Sequence, residues 1–294
     1  MSARKPGLRG IPRAIAVVAL ILCLSGSGIL GYLAWVERQD RRTGEAFYAA
    51  LVDHAAWMET TKVESYAGGE SLEAPSSAPD MESVAVGQAA KAAQEPSEGA
   101  GEPVLIQAAG SQMDFDGLRQ MYRDVVGWIR LEDSRVNYPI VQGEDNVYYL
   151  NHLPDGTQNE AGSILLDRAN TPDFSDEVSI LHGHHMESGA MFGELEKYAD
   201  ESYFRAHPEM MLFTPEGDYR VQIFAACTVD GETFEYPTAF TDAVDFEAFV
   251  DEMRRATPYE TQVEVAYGDR LLLLSTCAYS FREARFVVVG KLLD

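Results

Sequence analysis

The chain has 294 residues, 46% of them apolar, which is enough for one folded domain with a substantial core and further segments besides. Its formal charge of −24 at pH 7 excludes a nucleic-acid partner, because phosphate binding needs patches of Lys and Arg, and it suits a protein kept soluble outside a cell. Three sparse cysteines, Cys23, Cys227 and Cys277, exclude a disulfide framework.

Residues 1–13 form a basic tail with Arg4, Lys5, Arg9 and Arg13. Residues 14–36 carry no charge, and as a helix they would reach about 35 Å, the span of a bilayer. The expectation is an uncleaved transmembrane helix: a single-pass cell-membrane protein with its N-terminus cytoplasmic and its catalytic bulk extracellular. A cleaved signal peptide competes, although its apolar region is usually shorter. Residues 37–64 predict a membrane-proximal helical segment, with Phe47, Leu51, Ala55 and Met58 at helical spacing. Residues 65–113 are rich in Ala, Gly, Ser, Glu and Pro and predict a disordered acidic linker.

The folded domain is expected over 114–294. Phe115, Leu118, Met121, Tyr122 and Val125 predict an amphipathic helix over 114–126. Short β-rich runs follow at 128–131, 138–142, 163–166, 178–181, 209–214, 219–229, 262–266, 270–276 and 285–291, separated by turn signals such as Pro154-Asp-Gly and Pro215-Glu-Gly. An apolar stripe of Phe246, Phe249, Val250 and Met253 predicts a helix inserted over about 245–255. Many short strands in one domain predict a mostly β fold, a closed barrel or a sandwich.

Chemistry concentrates at strand ends. Leu271-Leu-Leu-Leu-Ser-Thr-Cys277 is an apolar strand that delivers a thiol to its end, whereas Cys23 and Cys227 read as small buried hydrophobes. A thiol with an ordinary pKa near 8.5 needs a base or a cation beside it to act as a nucleophile. The dense histidine group His182-Gly-His184-His185 ends another strand and offers that base. The same group resembles the start of a His-x-His-x-Asp-His zinc signature, but Met186 and Glu187 break it, so no metal or other cofactor is expected. Arg282 and Arg285 are the candidate cations, and Arg285 opens a strand expected to run antiparallel to that of Cys277.

Leu274-Ser-Thr-Cys277 followed by Arg285-Phe-Val-Val-Val-Gly resembles the Cys–Arg signature of sortases, and Gly183-His184-His185-Met186 with Met191-Phe192-Gly193 resembles their histidine segment. Gly127-Trp-Ile, Tyr138-Pro-Ile-Val-Gln, Tyr148-Tyr-Leu150-Asn-His and the helix near 245–255 are similar to the class B pattern. Leu273 and His182 depart from the commonest residues at their positions.

The resemblance implies a closed eight-stranded sortase-type β-barrel and a cysteine transpeptidase with Cys277 as nucleophile, His184 as acid and base, and Arg285 holding the oxyanion or positioning the substrate. It also implies a substrate groove lined by Asn146, Leu150, Ser275 and Thr276. The implied partners are secreted proteins bearing a C-terminal sorting signal and an amine from a cell-wall peptide, its lipid-linked precursor or a pilin lysine. A cysteine peptidase that releases its acyl group to water, and a non-catalytic surface assembly module, are the alternatives.

Overall fold

The computed structural model describes residues 34–55, 111, 113–277 and 283–293. Eight strands run as β1 (Val125–Arg130), β2 (Asn137–Val141), β3 (Ile164–Leu166), β4 (Val178–His182), β5 (Glu209–Thr214), β6 (Gly217–Asp230), β7 (Leu271–Cys277) and β8 (Ala284–Leu293). They close into a barrel in the order β1-β2-β3-β4-β7-β8-β6-β5, with β5 returning to β1. The pairs β2–β3 and β4–β7 are parallel, and the other pairs are antiparallel.

Two apolar clusters explain why β4 and β7 read as unbroken hydrophobic runs. Leu181, Leu272, Leu274 and Val288 belong to the main cluster, which fills the barrel. Val178, Ile180, Leu271, Leu273, Val287 and Val289 alternate with them into a second cluster on the outer face. A strand covered on both faces needs apolar residues at every position. The outer cover is a helix, Ala243–Ala256, which buries Phe246, Val250 and Met253 at helical spacing. Its N-cap Asp242 accepts from the amides of Val244 and Asp245, and Arg254 and Arg255 sit in its last turn, where cations suit the helix dipole.

The run 262–266 forms no strand. Val263 and Val265 pack against the outer cluster as alternation predicts. Two carbonyls of the run are taken by side chains rather than by a ladder: Arg254 donates to Val263 at 2.6 Å and Lys291 donates to Glu264 at 3.1 Å. The first helix of the domain is also shorter than its periodicity suggests, Phe115–Met121, because Val125 and Val126 already belong to β1. A short helix, Glu201–Ala206, has no buried residue and therefore no apolar stripe to reveal it.

Residues 34–55 are helical. Phe47, Tyr48, Leu51 and Ala55 are buried in the main cluster. Asn159 donates to the Asp40 carbonyl at 2.8 Å, and Arg41 pairs with Glu160 at 2.6 Å. This helix corrects the membrane expectation. The span 14–36 lies outside the described residues except for its last three, and no helix among the described residues is long and apolar enough to cross a membrane. The one that begins there carries Glu37, Arg38, Asp40, Arg41 and Arg42 and docks its apolar face on the barrel. Placement as a single-pass membrane protein is therefore not supported. The segment 65–113 lies outside the described residues apart from 111 and 113, both of which are buried.

Cys227 is buried on β6, and burial pushes its thiol up to about 11, which leaves it protonated and inert. Cys23 lies outside the described residues.

Candidate active site

Three neighbouring strands bring the chemistry-bearing positions to one end of the barrel. β4 and β7 run side by side in parallel until His182 stands opposite Ser275, and the Gly183 amide extends the ladder by donating to the Ser275 carbonyl at 3.2 Å. β7 and β8 run antiparallel, and their register ends with Cys277 opposite Arg285. Position 184 therefore follows the end of β4, position 277 ends β7, and position 285 is the second residue of β8. Strand alternation places 182, 275 and 285 on the outer face, the one that Leu271, Leu273, Val287 and Val289 occupy further along.

His184 is held by the loop that follows β4. Gly183 is pressed against the barrel: a Cβ there would lie 2.5 Å from Ile164 Cδ1 and 2.8 Å from Phe192 Cδ2. The His184 carbonyl accepts from the Phe192 amide at 3.0 Å, and His185 bridges to Met191. The Met191 amide in turn donates to the Tyr138 hydroxyl at 3.0 Å. With the backbone pinned on both sides, the imidazole places Nε2 2.6 Å from the Leu150 carbonyl. A carbonyl oxygen can only accept, so Nε2 carries the hydrogen and Nδ1 is the nitrogen left to exchange a proton.

The Leu150 carbonyl is itself positioned. Leu150 ends a single 3-10 turn, Tyr148–Leu150. Gly162, at φ +57°, passes so close that a Cβ there would be 2.2 Å from the Leu150 oxygen. The Gly162 carbonyl then accepts from the buried Tyr48 hydroxyl of the N-terminal helix at 2.6 Å. A line of contacts thus runs from that helix to the imidazole.

The Arg285 guanidinium lies back over the start of its own strand. Its Nη1 donates to the carbonyls of Ala284 at 3.2 Å and Glu283 at 3.4 Å, and its Nη2 stands 3.8 Å from the Glu283 carboxylate. Gly231, beyond the end of β6, makes room for this turn: a Cβ there would lie 2.7 Å from the Glu283 carbonyl and 2.8 Å from Arg285 Cγ.

The four expected groove residues divide. Ser275 faces outward and shares a hydrogen bond of 2.8 Å with the Tyr236 hydroxyl. Leu150 contributes its carbonyl to His184. Asn146 has its amide committed: Nδ2 donates to Asp167 at 2.7 Å and Oδ1 accepts from the Arg168 amide at 2.8 Å. Thr276 is buried and alternates with Leu272 and Leu274 toward the barrel interior.

Sequence reasoning did not single out Asp167 or Tyr236. Asp167 follows β3 and accepts from His182 Nε2 at 2.9 Å, from Asn146, and from the Ala169 amide at 2.9 Å. Burial would raise its pKa, but the bonds from His182, Ala169 and Asn146 outweigh it and hold the carboxyl at about 2. Tyr236 meets the His182 ring edge-on at 5.4 Å. The signal for Asp167 was the one used for the histidines, a polar residue directly after an apolar strand.

The geometry agrees with comparison to known proteins. The model of the sortase domain family matches residues 129–293. Sortase B of Listeria monocytogenes is 35% identical over 178 residues, which is 60% of this chain and 72% of that protein. Sortase B of Staphylococcus aureus is 34% identical over 181 residues, 61% of this chain and 74% of that protein. The structure of a Staphylococcus aureus sortase B–substrate complex superposes with a TM-score of 0.58 at 34% identity, covering 61% of this chain and 84% of that one. With the barrel closed in the same way and the family's domain spanning more than half its length, this chain belongs to the sortase family, as a cysteine transpeptidase of class B.

Proposed function

We propose that the chain cleaves a C-terminal sorting signal after threonine through a thioester on Cys277 and transfers the acyl group to an amine. The observation that supports this most directly is the ladder register, in which the Gly183 amide meets the Ser275 carbonyl and Cys277 pairs with Arg285. The Cys277 thiolate attacks the threonine carbonyl, and the carbonyl π pair moves onto oxygen. Arg285 stabilises that oxyanion with guanidinium donors, after swinging away from the carbonyls of Glu283 and Ala284. Protonated His184 gives its Nδ1 proton to the leaving amine as the C–N bond breaks. The neutral ring then takes a proton from the incoming amine, which attacks the thioester and releases the thiolate. Because Nε2 stays bonded to Leu150, the ring can shuttle this proton without turning.

The acyl acceptor is an amine of a cell-wall peptide, of its lipid-linked precursor, or of a pilin lysine. Mass spectrometry of the protein incubated with a sorting-peptide library and candidate amines tests the reading, with Cys277→Ala as control. An amine adduct on the threonine carboxyl, absent with the variant, is the expected result. Release of the free acid alone in the presence of every amine would instead identify a peptidase.

A further inference from the structure

We propose that His182 is a specificity-determining residue of the peptide groove, whose Nδ1 accepts a hydrogen bond from a donor-bearing side chain (amide, hydroxyl or ammonium) of the sorting peptide. The proposal rests on the reading above that such a peptide is the substrate.

The ring sits on the outer face of β4, opposite Ser275 and two residues before His184. At about 3.3 Å per residue this is about 7 Å along the strand from the reacting end, or two residues of an extended peptide. Its side chain keeps 21% exposure, so a peptide on this face can reach it. Asp167 decides its chemistry. That carboxylate is 14% exposed, takes three hydrogen bonds and is held ionised at about 2, so it acts only as an acceptor. It therefore binds the Nε2 hydrogen of His182, and in the neutral ring this leaves Nδ1 as a lone-pair acceptor. Among the described residues Nδ1 has no hydrogen-bond partner. The ring itself is braced, with Tyr236 edge-on at 5.4 Å and the Tyr236 hydroxyl tied to Ser275. An oriented acceptor, fixed from behind and unpaired in front, suits a peptide side chain that brings a donor. A site built to pair with such a group discriminates against an apolar isostere, which would leave the acceptor unpaired.

The rival account is structural: His182 would serve only to tie β4 to Asp167. The two separate by substitution. Glutamine reproduces the Nε2 donor toward Asp167 and lacks the Nδ1 acceptor. Asparagine places an oxygen near Nδ1 and does not reach Asp167. The experiment measures kcat and KM of the full chain on sorting peptides in which the two residues on each side of the cleaved bond are varied singly, Gln against Leu and Lys against norleucine. Wild type is expected to favour the donor-bearing member at one position by at least about tenfold in kcat/KM, mostly through KM. His182→Gln is expected to reduce that ratio to within about twofold, while His182→Asn retains part of it.

Wild type without such a preference, or His182→Gln with the preference intact, overturns the proposal. So does the reverse order of the two variants, which is what a purely structural residue would produce. In each of these cases cleavage of the peptides persists and the proposed function stands; failure of wild type to cleave any peptide overturns both.

Discussion

A carbonyl settles which nitrogen of His184 is chemically available, and comparably small details govern its neighbours. Arg285 starts from bonds to two carbonyls, and its planar fork can leave them for a developing oxyanion. Lysine keeps the charge but not the fork, so Arg285→Lys is expected to lose about 10²-fold in kcat, close to Arg285→Ala, with peptide KM changed far less. Steady-state kinetics of the two variants checks this. Gly183→Ala forces a methyl to within 2.5 Å of Ile164 and 2.8 Å of Phe192. Overpacking of that kind costs about 1–3 kcal/mol, and calorimetry should show a midpoint lowered by several degrees. Because His184 is the next residue, transfer activity should fall well below what the stability loss explains. Asp167 makes stability depend on acid. Its folded pKa of about 2 lies below the ordinary 3.8, so the unfolded chain binds the proton more readily. The stabilisation is complete above about pH 4 and is lost as pH falls through 2. Asp167→Asn should therefore be less stable than wild type at pH 5, with the gap closing toward pH 2 in urea titrations. A gap that widened on acidification would contradict this.

At the scale of elements, the N-terminal helix is a brace for the site as well as a cover for the core. Tyr48→Phe removes the hydroxyl that satisfies the buried Gly162 carbonyl, at a cost of about 1–3 kcal/mol. The expected outcome is a fall in kcat with peptide KM little changed, because Gly162 abuts the carbonyl that orients His184. Elements were legible where one physical cause dominated. The run 209–214 coincides with β5, and the apolar stretches 178–181 and 270–276 found β4 and β7 because both faces of each are covered. Alternation at 262–266 reported burial correctly and hydrogen bonding wrongly, since period two describes which side chains are covered and not what the backbone pairs with. The apolar stripe of the first domain helix ran on into β1 for the same reason: Val125 is buried, but as the first residue of a strand. Reading polar residues at strand ends pointed to positions 184, 277 and 285, and the ladders bring those strand ends together. It passed over Asp167 and Tyr236, and it did not foresee that Thr276 is buried. Those assignments depend on the β3–β4 register and on which face is outside, and neither is written in local sequence.

For the whole molecule, the formal charge of −24 sets a long-range term that no single contact carries. Self-repulsion among like charges opposes compactness and is screened as the Debye length falls from about 30 Å at 0.01 M salt to about 10 Å at 0.1 M. The thermal midpoint should rise over that interval, and a midpoint that fell with salt would show that attractive pairs such as Arg41–Glu160 outweigh the net charge.

The parallel pairing of β4 with β7 also sets a timetable. During translation the ribosome delivers the histidine-bearing strand long before the thiol-bearing one, because β5, β6 and the long helix lie between them. Such distant pairing is slow to form. A nascent chain that has emerged only through β6 holds the histidine of the proposed pair without position 277 beside it. The proposed pair of His184 and Cys277 is therefore assembled only when the barrel has closed around the finished strands, and a half-made chain would lack it.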